Sequence, residues 1–176
     1  RKTRIKRNRG RILSKIQTTK NMKSTKENTL YLTIKQVYFD QIIEGSKKEE
    51  YREIKDTTYK KYLEVSEQGW PLFDTTLISE DDELLGDLCI WNNGVYPYIP
   101  KQKWEFLHLA VGYAKERDTA IVEITDITFQ PLLDKKGNPA RFSVDENDMA
   151  KIDAEGNLCF WMAVFHLGEV VELHRK

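Results

Sequence analysis

The sequence predicts a mixed α/β (α+β) protein, a small β-barrel with flanking helices. Segments in which apolar residues alternate with polar ones, the pattern of half-buried strands, outnumber the segments with helical periodicity and are unevenly spaced. Both helical segments, 36–44 and 56–65, come early in the chain. At 176 residues the chain suits one domain with a sizeable core.

The first strand and the first helix are indicated by residue spacing. In TLYLTIK, residues 29–35, apolar positions alternate with Tyr, Thr and Lys. The next ten residues, QVYFDQIIEG, place their large apolar side chains on one helical face: Tyr38, Phe39, Ile42 and Ile43. Gly45 stands where a helix commonly ends in the left-handed conformation. The charged segment EGSKKEEYREIK, residues 44–55, then contains the second strand, and a short helix with capping residues follows it.

The middle of the chain has a less regular pattern. Residues 66–103 are rich in turn formers and aromatic residues and include the acidic stretch SEDDELLG, so we expect a long, partly ordered insertion. Segment 103–118 is compatible with two structures. Its apolar residues fit one face of a helix, but Leu107, Leu109 and Val111 also alternate as in a strand.

Three segments complete the chain. TAIVEITDITF, residues 119–129, predicts a strand, and residues 145–157 predict a loop or short helix that ends in a turn. CFWMAVFHLG, residues 159–168, is apolar on both faces, as expected of the central strand of a closed barrel.

The formal net charge of zero conceals a segregation of charge. Residues 1–28 carry a net charge of +10 and the remainder carries −10. We interpret 1–28 as a basic, disordered arm before a domain at 29–176. Such an arm could bind nucleic acid by neutralising phosphates, whereas the acidic body argues against a broad electrostatic footprint on DNA or RNA. Alternatively the first 21 residues are a leader or lie outside the natural product, because Met22 stands just before the first strand.

Composition narrows the class of protein. The chain is 40% hydrophobic and 32% charged, and no apolar run approaches the roughly 20 residues that span a bilayer, so no membrane association is expected. A secretory signal pattern is also missing. Cys89 and Cys159 lie far apart and match no metal spacing, nor do His108, His166 and His174. We therefore expect reduced thiols, a cytoplasmic location, and neither a metal nor another cofactor, and we take the protein to be a monomer.

The charged segment resembles a motif of a known family. GSKKEEYR fits the pattern Gly-x-Lys-x-x-Glu-x-Arg, filled by Gly45, Lys47, Glu50 and Arg52, and it follows the predicted strand and helix LYLTIKQVYFDQIIEG. In this arrangement the chain resembles the ASCH domain, a branch of the PUA-like superfamily of small β-barrels associated with RNA recognition and modification. The resemblance is strongest over residues 30–63.

The chemistry of these residues also indicates a binding site. Glu50 and Arg52 are two apart on a strand and project from the same face, which leaves Tyr51 for the core. Lys47 has the opposite parity, but its long side chain, just after Gly45, could bend into the same space. A carboxylate between two cations stays ionised, and an Arg fork can bind a phosphate or the edge of a base. The plain alternative is an exposed Glu–Arg pair worth about 0–1 kcal/mol.

The resemblance implies that the protein binds RNA and holds one nucleotide in a small charged pocket. Lys47 and Arg52 would contact the ligand, and Glu50 would orient it. Some ASCH proteins are amidohydrolases that act on acetylated cytidine and are thought to use the lysine with a threonine. Here Glu50 occupies the position of that threonine, and Lys47 and Glu50 would be the catalytic residues. Others are reported as ribonucleases. A further alternative is a protein-interaction domain, suggested by the acidic body.

Other residues are candidates for the same pocket. Lys35, at the end of the first strand, and Tyr113, after a glycine, resemble family residues that border it, although an exposed lysine is the plain alternative for Lys35. Three aromatic residues of the insertion could stack on bases or anchor their loop to the body: Trp91, Tyr96 and Tyr98.

Overall fold

The computed structural model describes residues 22–79, 90–91, 96–144, 150–152 and 158–176. Strands and two short helices occupy these ranges in the following order: β1 (Thr29–Ile34), α1 (Gln36–Glu44), β2 (Glu49–Glu53), α2 (Tyr59–Tyr62), β3 (Ile90–Trp91), β4 (Phe106–Val111), β5 (Thr119–Pro131), β6 (Arg141–Val144), β7 (Ala150–Ile152) and β8 (Leu158–His174). The fold is mixed and dominated by its sheet, as the sequence predicts.

Five of the strands form a curled half-barrel in the order β1-β4-β5-β8-β2. β1 and β4 run parallel, and the other neighbours are antiparallel. The 17-residue β8 is central, because residues 162–166 pair with both β5 and β2. β3 and β6 pair with its first residues, and β7 pairs with β6. The apolar segment 159–168 therefore lies in a central strand.

The curl has a local cause in β5 and β8. Their register shifts between residues 121 and 126 of β5, and such bulges bend a strand and increase its twist. The buried apolar residues of β5 change phase there: Ala120, Val122, Ile124 and Ile127. The extra residue keeps apolar side chains inside as the strand turns. On β8, a Cβ at Gly168 would come within 3.0 Å of the Glu123 carboxylate, which explains the glycine at this close approach.

The core fills the hollow side of the half-barrel. Its largest fully buried side chains are Phe39, Ile54, Leu63, Leu107, Leu109, Val122 and Phe165. α1 directs Phe39 and Ile42 into this core. The helix ends at Gly45, whose φ of 83° confirms the predicted left-handed termination. Tyr38, which shares the helical face of Phe39 and Ile42 by spacing, is 45% exposed.

Segment 103–118 forms a strand and a turn. β4 pairs with β1 in parallel over its whole length. Its residues Leu107 and Leu109 are fully buried. The helical alternative is therefore wrong for residues 106–111. Residues 150–152, predicted to lie in a loop or short helix, form β7 instead, which pairs antiparallel with β6.

Part of the 66–103 segment packs closely on the body. Tyr96 and Tyr98 are buried, and the Tyr96 ring lies 5.0 Å from that of Trp161 and 4.6 Å from that of Phe129. These two tyrosines therefore anchor their segment to the core. The side chain of Trp91, the acidic residues 80–86, Cys89 and residues 1–21 of the basic arm lie outside the described residues.

The chain just before β1 is ordered. Asn28 accepts a hydrogen bond from the Thr25 amide at 2.7 Å and donates one to the Glu105 carboxylate at 2.8 Å. These contacts attach residues 22–28 to the start of β4. No helix in the described part of the chain has the length and apolar character needed to cross a membrane.

The two terminal strands of the half-barrel, β1 and β2, form no ladder with each other in the described structure. The side chain of Arg52 in β2 reaches across instead, and its Nη2 donates to the carbonyl of Thr33 in β1 at 2.9 Å. The curl thus leaves an opening between two strand edges that are close enough for one side chain to bridge.

Candidate functional site

A cavity with a volume of about 920 Å³ lies at this opening. Its wall comes from the end of β1 and the start of α1, from β2 with the residues before it, and from the turn after β4. Five of the six predicted site residues line the cavity: Lys35, Lys47, Glu50, Arg52 and Tyr113. Gly45 is outside the wall, where it ends α1. Residues that are far apart in sequence therefore meet in one concave space.

Glu50 forms the buried floor of the charged part. Its cross-strand neighbour is Phe165, and Ile54, four residues further on with the same parity, is fully buried. The carboxylate therefore projects from the core face of β2. Its Oε1 lies 2.9 Å from Arg52 Nη2, and its Oε2 lies 3.3 Å from Lys47 Nζ. A buried carboxylate is tolerated when both oxygens are paired in this way, so the exposed-pair alternative does not describe this site.

Arg52 connects the two strand edges and retains unused donors. Its Nη2 contacts both Glu50 and the Thr33 carbonyl. Its Nε is buried without a hydrogen-bond partner among the described residues. A guanidinium has five N–H donors in a fixed plane. Both contacts of the side chain are made by Nη2, so Nη1 has no hydrogen-bond partner among the described residues and is the group left to donate to an incoming acceptor.

Lys47 is held by aromatic rings as well as by charge. Its Nζ lies 5.0 Å from the ring centre of Tyr51 and 5.7 Å from that of Tyr38, and it donates to the backbone carbonyl of Glu49. Ring faces attract an ammonium group over such distances. Because the ammonium group also contacts the Glu50 carboxylate, it has a defined position in the cavity wall.

Tyr51 lies in the cavity wall and is only partly buried, so its predicted place in the core was wrong. Its hydroxyl donates to the Glu49 carboxylate, and this hydrogen bond, together with burial and nearby negative charge, raises the pKa of Tyr51 to about 12. Glu49 also lies 3.3 Å from His166 Nδ1, and His166 Nε2 lies 2.7 Å from the Thr128 hydroxyl. A polar row thus crosses β2, β8 and β5 on the face opposite Glu50.

The wall favours an anionic ligand. Among its residues are three cationic side chains and one carboxylate, so its formal charge is positive. The amino-terminal end of α1, at Lys35 and Gln36, also borders the cavity. It has no side-chain cap and no acidic residue in its first turn.

A second ion-pair cluster supports the start of α1. Gln36 donates to Asp118 Oδ2 at 3.0 Å, Arg175 Nη1 donates to the same oxygen at 2.7 Å, and the Lys176 amide donates to Oδ1 at 3.0 Å. These bonds, the Lys176 amide first, lower the pKa of Asp118 to about 2. Arg175 also pairs with Asp40 of α1 at 2.7 Å. The cluster joins the end of β8 to the helix that borders the cavity.

Besides Tyr51, the components of the site that sequence reasoning missed include the side chain of Tyr38 and the carbonyl of Thr33. Tyr38 was grouped by its spacing with the other large apolar residues of α1, but its ring lies beside Lys47. The carbonyl of Thr33 belongs to the site through the backbone, and a backbone acceptor has no signature in the side-chain pattern. Comparisons of the chain with protein-family models, with curated proteins and with solved structures find no match. The ASCH resemblance therefore remains a sequence-based expectation.

Proposed function

We propose that the cavity binds a single nucleotide, as part of an RNA, and that the chain is an RNA-binding module of the ASCH, PUA-like type. The observation that supports this most strongly is the buried Glu50 carboxylate, which holds Lys47 and Arg52 in one concave space. A guanidinium with free donors suits a phosphate or the acceptor edge of a base. Glu50 then orients the two cations and is a positioning residue.

The size and lining of the cavity support a nucleotide as ligand. Its volume of about 920 Å³ lies within the range of roughly 300–1,000 Å³ typical of small-molecule sites. Its wall combines cations with the rings of Tyr38, Tyr51 and Tyr113. The phosphate of a nucleotide needs positive charge, and its base needs an aromatic or apolar surface, so this lining suits both parts.

The enzymatic alternatives require a different state of Glu50. A general base needs a carboxylate oxygen within reach of the proton that it takes. Both oxygens of Glu50 instead contact a cation, at 2.9 and 3.3 Å. The arrangement therefore favours binding over proton transfer. Turnover of RNA or of acetylated cytidine, lost in Lys47→Gln or Glu50→Gln proteins, would favour the ribonuclease or amidohydrolase alternative.

The binding proposal is tested by calorimetric titration with the four ribonucleoside monophosphates and a short RNA. We expect Arg52→Gln to weaken binding about 10- to 100-fold, since a hydrogen bond to a charged group contributes about 1.5–3 kcal/mol. Lys47→Gln should also weaken it. Lys48→Gln is the matched control, because Lys48 is the next residue, exposed, and outside the cavity wall. Thermal unfolding of each variant establishes that it folds.

Two outcomes would contradict the proposal. One is that no nucleotide or RNA binds. The other is that Lys48→Gln weakens binding as much as Lys47→Gln, which would indicate diffuse attraction by surface charge. A protein that binds no RNA but captures a protein partner would favour the interaction-domain alternative. The proposal includes a cytoplasmic location, which is supported by two cysteines whose spacing suggests no disulfide framework.

A further inference from the structure

Tyr113 presents an aromatic ring to solvent at the rim of the cavity. It is 89% exposed, more than any other large apolar or aromatic side chain in the described part of the chain. Its ring makes no stacking contact and its hydroxyl no hydrogen bond with the residues that the structure describes. The fold therefore leaves both faces of this ring available.

The turn that carries Tyr113 is well defined. The Val111 amide donates to the Asp118 carbonyl at 3.0 Å, and Arg117 Nη1 donates to the Gly112 carbonyl at 2.7 Å. Gly112 itself has a φ of 61°, in the left-handed region that glycine adopts at low cost. These constraints hold the backbone beside Tyr113 in one conformation. Because the backbone of the turn is already fixed, ligand packing on the ring costs only the conformational entropy of the side chain.

Tyr113 and the charged groups around Glu50 come from different elements of the cavity wall. Lys47, Glu50 and Arg52 come from β2 and the residues before it, whereas Tyr113 follows β4. The volume of about 920 Å³ is near the upper limit for sites that enclose a small ligand. One ligand in this cavity can therefore contact both Arg52 and Tyr113, since both side chains line it.

We infer that the site takes two consecutive nucleotides of a single strand, the first at Arg52 and the second stacked on Tyr113. This inference rests on the proposed function and names its substrate class, an unpaired segment of at least two nucleotides. In a duplex both faces of each internal base are covered by neighbouring bases, so Tyr113 could stack only on a base that is splayed out. Stacking on an aromatic ring tolerates any base, so the second position selects for single-strandedness rather than sequence.

The test compares a ribonucleoside monophosphate with a dinucleotide that contains it, by calorimetric titration of the full chain. The dinucleotide should bind about tenfold more tightly, as expected for one added base stack. Tyr113→Ala should reduce this ratio of affinities towards one, and Tyr113→Phe should preserve it. Tyr31→Ala is the matched control, because Tyr31 is 57% exposed but stacks on His108 outside the cavity wall.

A second readout reports on stacking directly. A dinucleotide with 2-aminopurine at the second position should lose fluorescence on binding to the native chain and to Tyr113→Phe, and not on binding to Tyr113→Ala. Equal affinities for the two ligands, or a ratio unchanged in Tyr113→Ala, would overturn the two-nucleotide inference. In that case mononucleotide binding that depends on Arg52 would leave the proposed function standing. Absence of binding by either ligand would overturn both.

Discussion

Replacing Glu50 by glutamine removes the negative charge between two cations while it preserves the size of the side chain. The carboxylate contacts Arg52 Nη2 at 2.9 Å and Lys47 Nζ at 3.3 Å. Glutamine can accept one hydrogen bond from Arg52, but it leaves both positive charges uncompensated in a partly buried site. We therefore expect Glu50→Gln to destabilise the fold as well as to weaken the ligand site.

The magnitude follows from the burial of the three groups. Removing one partner of a fully buried ion pair costs about 3–5 kcal/mol. The side chain of Glu50 is 7% exposed, but those of Lys47 and Arg52 are 17% and 26% exposed, so the two cations recover part of their hydration. We expect a loss of about 2–3 kcal/mol in the free energy of unfolding at neutral pH. This corresponds to a urea midpoint lower by about 1 M.

Urea unfolding followed by circular dichroism measures this loss, and Glu53→Gln provides the control. Glu53 lies on the same strand and pairs with Lys55 at 3.8 Å, but the two side chains are 43% and 59% exposed. The control should change stability by no more than about 0.5 kcal/mol. If Glu50→Gln costs no more than Glu53→Gln, the carboxylate is not a buried partner of two cations, and it does not hold Lys47 and Arg52 in the cavity.

The shifted pKa values of Tyr51 and Asp118 predict two pH dependences of stability. The pKa of Tyr51 is raised from 10.0 to about 12, so its stabilising contribution is complete below pH 10 and is lost between about pH 10 and 12. Over that pH range Tyr51→Phe should lose less stability than the native chain, as measured by urea unfolding. An equal loss in the two proteins would contradict the hydrogen bond between Tyr51 and Glu49. The pKa of Asp118 is lowered from 3.8 to about 2, so its contribution is present above pH 4 and is lost as the pH falls towards 2. The free energy of unfolding of Asp118→Asn should therefore fall less steeply below pH 4 than that of the native chain. An equally steep fall would show that this carboxyl is not held by Arg175 and Lys176.

The second strand illustrates how far a periodic pattern can be interpreted. Alternation predicts that Glu50 and Arg52 share a face and that Tyr51 lies on the other one, and the pairing of β2 with β8 agrees. The pattern cannot say which face is inside. Tyr51 was assigned to the core because it lies on the face opposite Glu50 and Arg52, yet Ile54 is buried on the face of those two residues. The curl of the half-barrel decides the matter by turning the charged face inward.

The fourth strand illustrates a different ambiguity. The apolar residues of segment 103–118 fit both a helix and a strand, because a short apolar run satisfies either period. The parallel ladder with β1 resolves it, since Leu107 and Leu109 then fill the core between neighbouring strands. The partner strand is more than seventy residues earlier in the chain, as the pairing of Thr29 with Phe106 shows. No window of local sequence contains that information.

The sequence alone determined the local elements, among them the buried stripe of β1, the end of α1 at Gly45 and the common face of Glu50 and Arg52. Each of these depends on neighbours within a few residues, so periodicity and backbone preference are sufficient to specify it. Only the tertiary structure brought the Thr33 carbonyl and Tyr38 to the same cavity. Their proximity depends on the bend at residues 121–126 of β5 and on the opening it leaves between β1 and β2, which are contacts over long sequence separations that no local pattern encodes.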